Sequence, residues 1–188
     1  MEANGLNGKK VGVLFPGIGY TNERPLMYYS RKLLLECGYD VIEVNYTGFE
    51  KKVKGNQKKM REAFEHGKAE AEKILSDYDW GLYEDIVFVG KSIGTAIAAD
   101  YAIEKELNVR EIYLTPLAMT LMKGMPKGMA FTGTADPWVD TETLPTAFKE
   151  TDIPVQIYKG ANHSLETEDT VENTKILTDV MENMKKYL

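Results

Sequence analysis

The chain has 188 residues, 43% hydrophobic and 28% charged, long enough to bury roughly 70% of the surface it would expose when unfolded and too apolar for extended disorder. A formal charge of -6 argues against nucleic acid as the main partner, because phosphate binding draws on clustered Lys and Arg. No run approaches the ~20 apolar residues of a membrane span, "MEANGLNGKK" lacks the apolar centre of a signal peptide, and Cys37, the single cysteine, has no internal disulfide partner. The expectation is one cytoplasmic domain over residues 1–188.

In chain order, the apolar run Val11 to Phe15 is stopped by Pro16-Gly17 and predicts a buried strand entering a loop. A helix is predicted from about Arg24 to Cys37, with Leu26, Tyr29, Leu33, Leu34 and Cys37 on its inner stripe and Gly38 as its stop. "DVIEVNY" reads as a second strand. "GNQKKMREAFEHGKAEAEKIL" reads as a surface helix, with Met60, Phe64, Ala71, Ile74 and Leu75 inward and its charges outward. "EDIVFVGKS" is the third strand and runs directly into the helix "IGTAIAADYAIEKEL". "EIYLTPL", "GMAFTGTAD" and "IPVQIYKGANH" supply three more strands, with a helix from Asp140 to Lys149 between the last two. The final helix, within Glu166 to Leu188, carries Leu177, Val180, Met181, Met184 and Leu188 at helical spacing, acids early and Lys185-Lys186 late. This alternation predicts an α/β fold, doubly wound: a mainly parallel sheet of about six strands with helices on both faces, binding ligands at the carboxyl ends of the strands.

"GKSIG" at residues 90–94 fits two chemistries. A P-loop needs a glycine where Asp85 stands and a flexible cradle where Ile86 to Val89 build a strand, so phosphate binding fails. A dinucleotide fingerprint at Gly17-x-Gly19 fails because Asn22 occupies the third glycine position. A nucleophile elbow requires an apolar strand, a sharp turn at serine with glycines two residues either side, and an immediate helix, and all are present around Ser92. Serine needs a base held by an acid. Of the two histidines, His163 follows the sixth strand at the correct end of the sheet, whereas His66 lies mid-helix among charges and reads as exposed. The acid is Asp136 in "FTGTADPW", just past the fifth strand. Asp136 could instead cap the following helix, and Asp140 is the alternative acid or cap.

The strand, "GKSIG", strand, "GTADPW", strand, "GANH" series resembles the α/β-hydrolase fold over about Val11 to Leu188, particularly small lidless serine hydrolases of the dienelactone-hydrolase and carboxylesterase kind. The resemblance implies Ser92 as nucleophile, His163 as base then acid, and Asp136 as its orienting carboxylate. It also implies an oxyanion hole from the amides of Ile93 and, in the "FPGIGY" loop, Ile18, with Gly19 or Tyr20 as alternatives. The sheet should be minimal, and "AMTLMKGMPK" leaves no room for a cap domain. The open mouth is then lined by Tyr20, Leu117, Met119 and Trp138. The implied reaction is hydrolysis of a small-molecule carboxylic ester or thioester, with no cofactor and no metal.

Plainer roles compete for several of these residues. Met119 and Met122 fit ordinary packing, Trp138 fits a ring that covers the core, Cys37 reads as a buried thiol, and the cluster Lys51, Lys52, Lys54, Lys58, Lys59 and Arg61 reads as a solvated face. The rival to an enzyme is a binding or scaffold protein that keeps the fold without the catalysis.

Overall fold

Apolar, β-branched segments dominate the interior and pair side by side. In the computed structural model, which describes residues 10–49, 53, 55–121, 126–139, 151 and 153–188, six strands form one sheet. They are β1 (Lys10–Phe15), β2 (Asp40–Glu43), β3 (Asp85–Lys91), β4 (Arg110–Leu114), β5 (Gly128–Gly133) and β6 (Val155–Tyr158). Their spatial order is β2-β1-β3-β4-β5-β6 and every neighbouring pair is parallel. Five α-helices are described, besides a 3-10 turn at Trp80–Leu82: α1 (Pro25–Glu36), α2 (Gln57–Leu75), α3 (Ile93–Glu104), the single turn α4 (Ala118–Leu121) and α5 (Thr170–Tyr187). The helix expected from Asp140 to Lys149 lies outside the described residues.

Because side chains alternate along a strand, each strand feeds two cores. Val11, Val13, Phe15, Ile86 and Phe88 pack with α2 and α3 through Phe64, Ala71, Leu75 and Ala96. Leu14, Val87, Val89, Ile112 and Phe131 turn the other way, onto Leu26, Met27 and Leu34 of α1 and Ile176, Val180 and Met184 of α5. Helices therefore cover both faces, as the alternation of elements predicts.

The helix ends follow local chemistry. Asn56 and Asp169 cap α2 and α5 by accepting backbone amides of the first turn, and Lys185 and Lys186 lie in the last turn of α5. At the end of α1, Gly38 adopts φ +82°, with Gly38 N donating to Leu35 O and Tyr39 N to Leu34 O, a Schellman closure that fits the predicted stop.

Two of the inward residues predicted for α1 are misplaced. Tyr29 is 47% exposed, and Ser30 takes the buried position because its hydroxyl can donate to Leu26 O at 2.6 Å. Cys37 is only half-buried, since the chain leaves the helix there. Strands also end earlier than their apolar runs. β2 stops at Glu43, the register partner of Leu14, one residue before β1 itself ends.

Strand order reverses direction between β1 and β3, the switch point at which the connections diverge and leave a crevice above the sheet. Phe15 and Gly90 are the last register partners there, so the loop after β1 lies beside the β3–α3 turn.

Candidate active site

The β3–α3 turn is built around Ser92. As the single residue between strand and helix, Ser92 takes φ 56°, ψ -121°, a strained conformation for a residue with a side chain. The flanking glycines are required by close approach: a Cβ at Gly94 would lie 2.0 Å from Phe15 O, and one at Gly90 would lie 2.6 Å from Thr95 Cα. Ser92 N donates to Leu114 O at 3.0 Å, and Ser92 O accepts from the amide and hydroxyl of Thr95, at 3.1 and 2.6 Å. The turn is thereby tied to β4 and to its own helix.

Asp136 and His163 come from the loops after β5 and β6. These loops are laced together: Ala135 N donates to Ala161 O at 3.0 Å and Gly160 N to the Thr134 hydroxyl at 2.8 Å. Thr115, buried after β4 with φ 45°, donates its hydroxyl to His163 O at 3.1 Å. Asn162 Oδ1 accepts the amide of Ser164 at 2.7 Å and holds the turn beyond the histidine.

The three side chains predicted from sequence meet. His163 Nε2 is 2.7 Å from Ser92 Oγ, and His163 Nδ1 is 2.7 Å from Asp136 Oδ2. With the carboxylate fixing Nδ1–H, Nε2 is left to accept the serine proton. The Asp136 side chain is fully buried and that of His163 largely so. Asp136 Oδ1 also accepts from Trp138 N at 2.9 Å, so one carboxyl both forms the local turn and orients the ring. The alternative, Asp140, lies outside the described residues. Trp138 is partly buried and its ring centroid is 5.5 Å from that of His163.

Ile18, Gly19, Tyr20, Ile93 and Trp138 line a cavity of about 400 Å³ with Ser92 and His163. Among the described residues, nothing accepts from the amides of Ile18 or Ile93, so both can donate to a ligand. The amide of Tyr20 is engaged with Gly17 O at 3.3 Å, which removes Tyr20 as the second donor. Leu117 and Met119 do not border this space but an adjoining one of about 480 Å³, and Val53, Met60 and Trp138 form the wall common to both. Sequence reasoning missed Val53, Met60, Ser164 and Lys91 as cavity residues. Only Met60 had left a signal, its place on the apolar stripe of α2. His66 is exposed, its Nε2 at 2.6 Å from Thr47 O, while Met122, Lys51, Lys52 and Lys54 lie outside the described residues.

The parallel six-stranded sheet with its covering helices matches solved structures over most of the chain. The fold is that of the α/β-hydrolases. The chain is similar to an α/β serine hydrolase homologue from Coxiella burnetii, with TM-score 0.65, 20% identity, and 98% of this chain and 88% of that one covered. It is also similar to a lidless α/β serine hydrolase from Xanthomonas campestris, with TM-score 0.62, 12% identity and coverage of 96% and 83%. An esterase from Pyrococcus furiosus aligns with TM-score 0.63, 16% identity and coverage of 96% and 84%. No protein-family model and no curated protein matches the chain. Between β4 and β5 of this chain lie the single turn α4 and, after it, residues 122–125 before Pro126. No helix among the described residues is long and apolar enough to cross a membrane.

Proposed function

We propose that the protein is a serine hydrolase that cleaves a carboxylic ester or thioester through an acyl-enzyme on Ser92. The observation that carries this reading is the unbroken hydrogen-bond chain Ser92–His163–Asp136, whose Ser92 and His163 line a cavity with two amides that are unengaged among the described residues. Ser92 Oγ attacks the substrate carbonyl carbon while His163 Nε2 takes its proton, and the amides of Ile93 and Ile18 donate to the developing oxyanion. The tetrahedral intermediate collapses, the carbonyl–leaving-group bond breaks, and His163 returns the proton to the departing alkoxide or thiolate. Water, deprotonated by His163, then attacks the acyl-serine carbonyl. The product acid leaves and the serine proton is restored. Asp136 keeps the ring oriented and balances its charge when it is doubly protonated.

The mouth suits a small acyl substrate: Tyr20 and Trp138 bound the space over Ser92, and Leu117 and Met119 line the adjoining apolar space. The test is a panel of short and long acyl esters and thioesters assayed with wild type and Ser92→Ala. The variant is expected to lose on the order of 10⁴- to 10⁶-fold in turnover, keeping a residual rate from binding and the oxyanion donors. A fluorophosphonate should label Ser92 covalently. Near-normal hydrolysis by pure Ser92→Ala would refute the mechanism, and folded wild type that neither reacts with the probe nor turns over the panel would return the chain to the binding-protein reading.

A further inference from the structure

A buried lysine amine ordinarily has an acceptor, because an unpaired ammonium away from water forfeits its hydration. Lys91, the last residue of β3 and the neighbour of Ser92, has none: it is wholly buried, and Nζ meets no hydrogen-bond partner among the described residues. Strand alternation sets its direction. Gly90 faces α3, so Lys91 turns to the opposite side with Val87 and Val89, where Nζ lies 4.8 Å from the centroid of the Tyr20 ring.

The charged and titratable groups around this amine come from each loop of the site. From the loop after β5, the Asp136 carboxylate is the charge that favours the ammonium. Both of its oxygens are taken, Oδ2 by His163 and Oδ1 by the Trp138 amide, so it acts on Lys91 through space rather than through a hydrogen bond. From the loop after β1, Tyr20 presents a phenol that burial pushes up to about 12, hence neutral, with Glu166 bearing on it from the segment before α5. From the loop after β6 comes His163. One buried carboxylate therefore faces two bases and can balance one positive charge.

Resting on the reading of His163 as general base, we propose that Lys91 is a positioning residue that competes with His163 for the charge of Asp136 and so sets the pH at which His163 can accept the Ser92 proton. Burial, opposed by Asp136, brings the Lys91 amine down to about 7, into the range where imidazoles ionise. An ammonium formed there disfavours the imidazolium. At an effective dielectric of about 20, one charge several ångströms away shifts a proton equilibrium by about one pH unit or more.

Lys91→Met removes the charge and keeps the bulk. The His163 imidazole is followed directly by proton NMR in a His66→Gln background, which leaves one histidine in the chain. The pH dependence of kcat/KM on a p-nitrophenyl ester gives a second readout. In Lys91→Met both midpoints should rise by about one pH unit, with KM changed less than about threefold. A purely structural Lys91 would alter stability and leave the imidazole midpoint in place. A folded Lys91→Met with a midpoint within about 0.2 unit of wild type overturns the proposal. Should that variant not fold, wild-type protein with ¹³C-labelled lysine answers the same question: the Lys91 Cε and His163 curves should each bend at the other's midpoint, and independent curves overturn it. The NMR titration needs no turnover, so an unmoved imidazole refutes the role of Lys91, whereas an active Ser92→Ala refutes the esterase reading.

Discussion

Glu111 shows what one side chain can cost this fold. It lies on β4 at 1% exposure, and its Oε1 has no partner among the described residues. Burial raises its carboxyl well above the ordinary 4.5. The folded state therefore holds a proton that the unfolded state releases above about pH 4.5, so stability present in acid is lost as pH rises from there toward the folded-state value. Glu111→Gln removes this penalty. Its urea stability should match wild type below about pH 4 and exceed it by on the order of 1 kcal/mol at pH 7. A gap that does not change with pH would show the carboxyl binding its proton equally in the folded and unfolded chains. At this scale the sequence was uneven. Ser92 and His163 announce themselves by chain order and loop position, and Asp136 by its place after a strand. Lys91 carries no such mark: in "GKSIG" it suggests phosphate binding, and its burial depends on the direction in which the last residue of β3 points, which only the packed sheet defines.

At the scale of elements, the tightest joint is the first turn of α3 against the end of β1. Gly94→Ala would drive a methyl into Phe15 O, 2.0 Å away, and backbone on both sides leaves no flexible group to yield. It should destabilise by about 3 kcal/mol or more, or prevent folding. Gly19→Ala meets no atom within 4 Å and is strained only by its φ of +73°, so about 1 kcal/mol is expected. Chemical denaturation of both variants checks the contrast; equal losses would mean that backbone conformation, not contact, governs the turn. The glycines around Ser92 were legible because a sharp strand-to-helix junction needs them. The ends of β4, β5 and β6 were not. The runs of β4 and β6 continue through Leu117 and Ala161, residues that leave the ladder yet stay buried because they build the loops of the site, while that of β5 runs on to Ala135, which is exposed. Hydrophobic periodicity reports burial, and burial outlasts strand pairing here.

For the whole molecule, alternation of strand and helix was enough to predict six strands and helices on both faces, since parallel strands need crossovers that cover them. Strand order was not legible, because it depends on which crossover goes to which side. Among the described residues, that order places β6 at the sheet edge, paired only with β5, with Ile157 40% exposed. Edge segments open at lower free energy than central ones. His163 follows β6, while Ser92 follows the central β3. In a urea titration, ester hydrolysis should therefore vanish about 0.5–1 M before far-ultraviolet ellipticity, and amides of β6 should exchange faster than those of β3. Coincident transitions would show instead that the edge melts with the centre. The proposed base thus hangs from a marginal ribbon of the sheet: fraying of that margin would silence the proposed esterase reversibly while Ser92 stayed seated, and reannealing one short strand would switch it on again.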